Sequence, residues 1–318
     1  MSIPTIQWYP GHIAKAERQL QDQLKRVDVV LEVRDARIPL STHHPKVSQW
    51  IGDKARILVM NRVDMVSAEA RQQWQDWIKQ QGDRPHFVNA KQGNGVGQLA
   101  QAAKAAGKAM NDRRLRRGMK PRPVRAVVIG FPNVGKSALI NRLLKKKVVE
   151  SARRPGVTRQ LRWVRISDEL ELLDAPGVLP SKLTNQEAAL KLAICDDIGE
   201  AGYDNQRVAA AFIDLLHTLP TWTPVPVAIA PDPTDHPPAN EASDRPDSQP
   251  VSQPDSLIGN LTDKYKIDPS ESTGEGYLSE LAHYHHRGDK EKMARQILND
   301  FRTGGLGLIA LEWPPIAT

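Results

Sequence analysis

Residues 130–137 read GFPNVGKS, a match to the pattern G-x-x-x-x-G-K-[ST]. The run VRAVVIG before it is rich in β-branched residues, and KSALINRLLKK after it has helical spacing. The pattern therefore sits in the strand–loop–helix context that its chemistry needs. Its glycines let the backbone curl so that successive N–H groups face a phosphate, aided by the positive end of the following helix. Lys136 is the point charge expected to bridge a β- and a γ-phosphate, and the Ser137 hydroxyl is an expected Mg²⁺ ligand.

Four further motifs complete a nucleotide site. LELLDAPG ends a later strand, where Asp174 can hold Mg²⁺ through water and the Gly177 N–H can sense a γ-phosphate. Between the two lies RRPGVTRQ, whose Thr158 is either a second hydroxyl on that metal, in a first switch loop, or a plain loop threonine. Upstream, ILVMNRVDM ends an apolar run in Asn61-x-x-Asp64. The Asp64 carboxylate matches the N1–H and exocyclic amine of guanine, a donor pair that adenine lacks. A site built on such buried hydrogen bonds rejects the wrong base by roughly 10⁴-fold or more. Asn61 is expected to brace the neighbouring loop. VNAK ends a further short strand, where the Ala90 N–H can donate to guanine O6.

The order along the chain is thus base, base, phosphate loop, switch one, switch two. That is the usual cycle of a guanine-nucleotide domain opened at a different point. Such a site lies at the carboxyl ends of the strands and depends on which strands are neighbours, not on where the chain begins. Joining the old ends and cutting a surface loop preserves it. The spacing predicts a circularly permuted domain in which switch two runs directly into a helical C-terminal domain.

Strand runs VDVVLEVRDARIP, ARILVMN, HFVNAK, VRAVVIG, QLRWVRI and LELLDAPG alternate with helical ones, including EARQQWQDWIKQQ and VGQLAQAAKAAGKAMNDRRLRR. This predicts an α/β fold with a mostly parallel sheet covered by helices on both faces. Past residue 180 come helical runs without strands, interrupted at about 220–257 by a segment dense in Pro, Asp and Ser. Such composition does not bury enough apolar surface to offset chain entropy, so disorder is expected there. The 318 residues suffice for about two domains. We expect 1–180 to be the nucleotide-binding domain with an N-terminal helical extension, and 181–318 a small all-helical domain. A single cysteine, Cys195, excludes an internal disulfide and reads as a small buried hydrophobe. No apolar run approaches the roughly 20 residues that span a bilayer, and MSIPTIQWYPGH lacks the marks of a signal peptide. A cytoplasmic address, without membrane partners, is expected.

With these motifs in hand, the chain resembles the circularly permuted ribosome-assembly GTPases of the RbgA/YlqF family. The similarity also covers the entry QWYPGHIAKAERQL, the strand VDVVLEVRDARIPLSTHHP and the ending ILNDFRTGGLGLIALE. It implies GTP hydrolysis, slow alone and stimulated by the subunit, coupled to late maturation of the large ribosomal subunit. It also implies docking of the helical domain on rRNA in the GTP state, release after hydrolysis, and a monomer off the ribosome. The GTP-binding set so implied is Asn61, Arg62, Val63, Asp64, Asn89, Ala90 and Lys91 around the base. Around the phosphates it is Asn133, Val134, Gly135, Lys136, Ser137, Ala138, Asp174 and Gly177. Arg62 stands where the family usually has lysine, and a planar guanidinium is not interchangeable with an ammonium. Val178 stands where many GTPases place a water-orienting glutamine. The resemblance points instead to His12, whose unperturbed pKa of about 6.5 suits the task; a capping or packing histidine is the other reading. It also suggests that the Asn133 carbonyl helps seat a K⁺ beside the phosphates, against a bracing role for the same side chain.

The formal charge is +7, and NDRRLRRGMKPRPVR is the densest basic run, carrying Arg113, Arg114, Arg116, Arg117, Lys120, Arg122 and Arg125. KKK at 145–147 and Arg154 add charge near switch one. These read as phosphate contacts to RNA or as a solvated face. His283, His285 and His286 lack partners at metal-ligand spacing and read as surface or RNA-facing. Two other functions fit the sequence: a nucleotide-regulated RNA-binding module with little turnover, and a GTPase acting on a different RNA, such as tRNA.

Overall fold

The computed structural model describes residues 6, 11–145, 162–174, 180, 184–198, 203–219 and 257–315. The chain opens with helix α1 (Gly11–Leu24), then strand β1 (Val29–Asp35), a short α2 (Val47–Ile51) and strand β2 (Ala55–Asn61). Helix α3 (Ala68–Gln80), strand β3 (Pro85–Val88), helix α4 (Val96–Arg116), strand β4 (Val124–Gly130) and helix α5 (Lys136–Leu143) come next. A hairpin of β5 (Arg162–Ser167) and β6 (Leu170–Asp174) closes the sheet. The strands lie in the order β3-β2-β1-β4-β6-β5, with only β5 antiparallel.

β1 is central and buried along its whole length, as a parallel strand covered on both faces must be. Alternate side chains divide between the faces. Val29, Leu31 and Val33 join the main core, against Leu99 and Ala103 of α4 and Leu139 of α5. Val30 meets Leu20 and Leu24 of α1 and Val47 and Ile51 of α2 on the other side. At the sheet's far end Leu58 and Met60 of β2 pack on Trp74 of α3, which meets Trp77 edge to face with ring centres 5.7 Å apart.

The phosphate-loop strand β4 sits between β1, which leads toward the base motif, and β6, which carries Asp-x-x-Gly. α4 runs into β4 through residues 117–123, so the two ends that a non-permuted chain would leave free are joined here.

After the sheet come α6 (Gln186–Ile194), α7 (Asn205–Thr218), α8 (Gly259–Tyr265), α9 (Gly274–His286) and α10 (Lys290–Thr303). α7, α9 and α10 pack on one another. Phe212 meets Phe301 with ring centres 4.9 Å apart, and Asp214 accepts from the Gly274 N–H at 2.6 Å. Helices from both sides of the Pro-rich insertion therefore build one bundle; residues 220–256 themselves lie outside the described residues. The bundle's core is continuous with that of the sheet, since Leu190 and Ile194 of α6 belong to the same cluster as Val33 and Phe301. The final segment returns to the sheet. Leu311 and Glu312 N–H groups donate to Arg37 O at 3.0 and 3.2 Å, and the Glu312 carboxylate accepts from Leu40 N at 2.7 Å.

Candidate functional site

The phosphate loop is shaped by two glycines. Gly130 has φ 152°, and a Cβ there would come within 2.4 Å of Val33 O on β1, so the close approach of the strands demands glycine. Gly135 has φ 99°, and its Cβ would lie 2.2 Å from Asn61 Nδ2. Asn133 between them takes the left-handed region at φ 55°, which asparagine tolerates better than most residues. Lys136 opens α5, is buried, and donates to Phe131 O at 2.6 Å and Gly130 O at 3.2 Å. Val134 is buried, with Ser137 and Ala138 in the first turn of α5.

The base loop meets this turn directly. β2 ends at Asn61, Arg62 turns the chain at φ 62°, and Val63–Met65 form a single 3-10 turn with Asp64 exposed on it. Asn61 is buried and donates through Nδ2 to Val134 O at 2.7 Å, while its Oδ1 accepts from Ala90 N at 3.0 Å. One amide thus ties the base loop, the phosphate loop and the loop after β3. The Ala90 N–H assigned to guanine O6 is committed to Asn61 in this structure. β3 stops at Val88, the first residue of VNAK, because Asn89 starts a turn: its Oδ1 accepts from Gln92 N at 2.9 Å and its carbonyl from Gly93 N at 2.7 Å. Arg142 of α5 donates to the carbonyls of Ala90, at 3.4 Å, and Lys91.

Arg62 does not stand free over the pocket. Its Nη2 donates to Asn133 O at 2.6 Å, and its Nε lies 3.4 Å from Asp35 Oδ2. Asp35 is fully buried and bidentate to Arg37, with Nη2 at 2.7 Å and Nε at 3.0 Å. Burial works against the Asp35 carboxylate, yet Arg37 and Arg62 hold its pKa below the usual range. Asp197, on the turn after α6, behaves oppositely. Burial and the neighbouring Asp35 charge push its carboxyl up to about 8 against the pull of Arg62 and Arg37. Cys195 on the same turn is fully buried, and burial lifts its thiol far above the ordinary value. Sequence reading missed this cluster. VRDAR gave a weak signal, three charged residues at the end of a strand that is otherwise apolar but for Glu32.

Asp174 closes β6 opposite Val128 of β4, two residues before the phosphate loop, and Ser137 stands in the turn at that loop's far end. A carboxylate and a hydroxyl are the hard oxygen donors Mg²⁺ takes, so this pair of positions fits the ion. Thr158, Gly177 and Val178 lie outside the described residues, as do Lys146, Lys147 and Arg154; of His12 and Asp174 only the backbone is described.

The basic run divides on inspection. Arg113, Arg116, Arg117 and Lys120 are exposed. Arg122 instead makes a fork to Asp28, with Nη1 at 2.8 Å and Nη2 at 3.0 Å, and Arg125 pairs with Glu171 at 3.5 Å and lies over the Trp163 ring. These two are half-buried and serve the fold, a correction to the reading of the whole run as one surface. His283 and His285 are exposed, and His286 is bonded to Gln296 at 2.7 Å.

Ribosome biogenesis GTPase A of Bacillus pumilus is 41% identical over 205 residues, covering 64% of this chain and 73% of that protein. The chain belongs to the ribosome biogenesis GTPase A family. The family member from Priestia megaterium is 43% identical over 213 residues, covering 67% of this chain and 74% of its own length. Residues 125–218 match the family described as 50S ribosome-binding GTPase. The chain is accordingly a GTPase, and its motif order is the family's circularly permuted one. YlqF from T. maritima in its GNP-bound form superposes with a TM-score of 0.60 at 21% identity, over 95% of this chain and all of that one. At that identity the match speaks for the fold: the permuted α/β domain with a helical C-terminal region. No helix among the described residues is long and apolar enough to cross a membrane.

Proposed function

We propose that this GTPase acts in late assembly of the large ribosomal subunit, in the cytoplasm, docking on rRNA with GTP bound and leaving after hydrolysis. The observation that carries the site is the Asn61 amide, which links the base loop to Val134 of the phosphate loop and to Ala90. The process is suggested by relatives named ribosome biogenesis GTPase A.

In this reading Asp64 takes the guanine edge, and the Arg62 stem lies along the purine while its head holds the Asn133 carbonyl. Lys136 exchanges the carbonyls of Gly130 and Phe131 for the β- and γ-phosphates. Ser137, Thr158 and Asp174 hold Mg²⁺, which when bound neutralises charge on the phosphates. Gly177 senses the γ-phosphate, so the second switch passes nucleotide state directly to α6. His12, carried on α1, orients the attacking water in place of a glutamine. The Asn133 amide nitrogen is engaged by Asp196 O at 2.7 Å, so its oxygen is the end a K⁺ would take. The exposed Arg113, Arg116, Arg117 and Lys120 supply RNA phosphate contacts.

Sedimentation with large-subunit precursors in GTP, GDP and a non-hydrolysable analogue tests this. Co-sedimentation with GTP and the analogue but not with GDP is expected. Equal binding in all three, or binding to tRNA in preference to the subunit, overturns it.

A further inference from the structure

The turn that ends α6 reaches the nucleotide site three times. Cys195 O lies 3.4 Å from Arg37 Nη2, Asp196 O accepts from Asn133 Nδ2 at 2.7 Å, and the Asp197 carboxylate faces Arg62 Nη2 at 3.8 Å. Asp197 is fully buried, and neither of its oxygens accepts a hydrogen bond. A buried carboxylate in that condition costs free energy unless a cation compensates it. The cations that act on it are Arg62 and Arg37. Arg37 is held to Asp35, which it chelates through two nitrogens. Arg62 is the adjustable one: its side chain is 26% exposed and its head lies between Asp35, at 3.4 Å, and Asp197, at 3.8 Å.

The contacts close a ring. Asp197 faces Arg62, Arg62 Nη2 bonds Asn133 O, and the Asn133 side chain bonds the carbonyl of Asp196, next to where the ring began. Between Asp35 and an ionised Asp197 the planar guanidinium has one seat, whereas without Asp197 the head keeps only its bond to Asn133 O and the 3.4 Å contact to Asp35.

We infer that Asp197 is a positioning residue of the nucleotide site, holding the Arg62 head on the Asn133 carbonyl and so fixing the base loop against the phosphate loop. The inference rests on reading Asn61–Asp64 and Gly130–Ser137 as those two loops. It makes nucleotide affinity depend on how the α6 turn is seated, which gives the helical region a hold on the site besides the second switch.

The test is GDP affinity of the full chain at about pH 9, where the Asp197 carboxyl is ionised, in four forms: wild type, Asp197→Asn, Arg62→Ala and the double variant. Residues coupled in this way change one another's effect by amounts of the order of tenfold. Asp197→Asn is expected to weaken GDP binding about tenfold in the wild-type background and less than twofold in the Arg62→Ala background. Guanine preference over adenine should not move, because it depends on Asp64. If the isosteric variant does not fold, Asp197→Ser carries the same comparison. A loss of equal size in both backgrounds makes Asp197 merely structural, and no loss in the wild-type background removes it altogether; either result overturns the inference alone. Failure of the wild type to bind GDP, or full binding by Asp64→Ala, overturns the reading of the loops and this inference with it.

Discussion

Asn61 Nδ2 donates to Val134 O at 2.7 Å across 73 positions of sequence, and both residues are buried. Breaking the bond strands a buried carbonyl, which costs about 1–3 kcal/mol. The bond also dictates Gly135, whose Cβ would press on the same Asn61 nitrogen at 2.2 Å.

Gly135→Ala should therefore act on two loops at once. The left-handed backbone adds strain of about 1–3 kcal/mol, and the displaced Asn61 releases Ala90 N. We expect a lower melting temperature together with GDP affinity reduced tenfold or more. Calorimetry and titration of the same preparation check it; an unchanged GDP affinity would mean that the two loops do not share a ligand.

Glu32 on β1 gives a pH-dependent outcome. It is 2% exposed and faces Arg34 Nε at 2.7 Å, His43 Nδ1 at 2.9 Å and Arg56 Nη1 at 2.8 Å. Burial alone would raise its pKa, but His43 and Arg34 outweigh that and bring it down to about 2. A lowered folded-state pKa means that the stabilisation is fully present above the unfolded value of 4.5 and is lost as pH falls toward 2. Glu32→Gln should cost about 3 kcal/mol near neutrality. The gap to wild type should stay flat from pH 7 to about 5 and narrow below that. Denaturant titrations across this range measure it, and a gap that widens on acidification contradicts the assignment.

The division of the basic run separates binding from folding. Arg116→Ala and Arg117→Ala should leave thermal stability unchanged while weakening RNA binding. Each should reduce the slope of log affinity against log salt by about 0.9 for a duplex contact. Arg122→Ala should instead lose about 2 kcal/mol of stability through its fork to Asp28, with the slope unaltered. Filter binding over a salt series distinguishes the two behaviours.

What was legible in the chain was local or periodic. β2 runs over ARILVMN as its apolar pattern indicated, and the phosphate loop stands between β4 and α5 as its spacing required. The permuted order could be read because motifs carry their chemistry with them wherever the chain is cut. Long-range polar pairing was not legible. Nothing near Arg122 in sequence names Asp28 as its partner, and Glu312 gives no hint that it will accept from Leu40 N. Arg62 looked like a substitute for a base-stacking lysine, whereas its head is also held by Asp35 and by Asn133 of the phosphate loop. Such contacts depend on which loops the sheet order brings together, and a single sequence does not encode that order in any short window.

In the proposed function the loop bearing Asp64 and the loop bearing Lys136 grip one guanosine nucleotide. Xanthine has the N1–H of guanine but a carbonyl in place of its exocyclic amine, so an amide matches it where a carboxylate does not. Binding of guanosine and xanthosine triphosphates to wild type, Asp64→Asn and Lys136→Ala tests the claim in one series. Asp64→Asn should exchange guanosine for xanthosine preference by roughly 10²-fold or more, in the manner of a lost buried hydrogen-bond pair. Lys136→Ala should weaken both nucleotides alike. An Asp64→Asn protein that still prefers guanosine triphosphate would contradict the account.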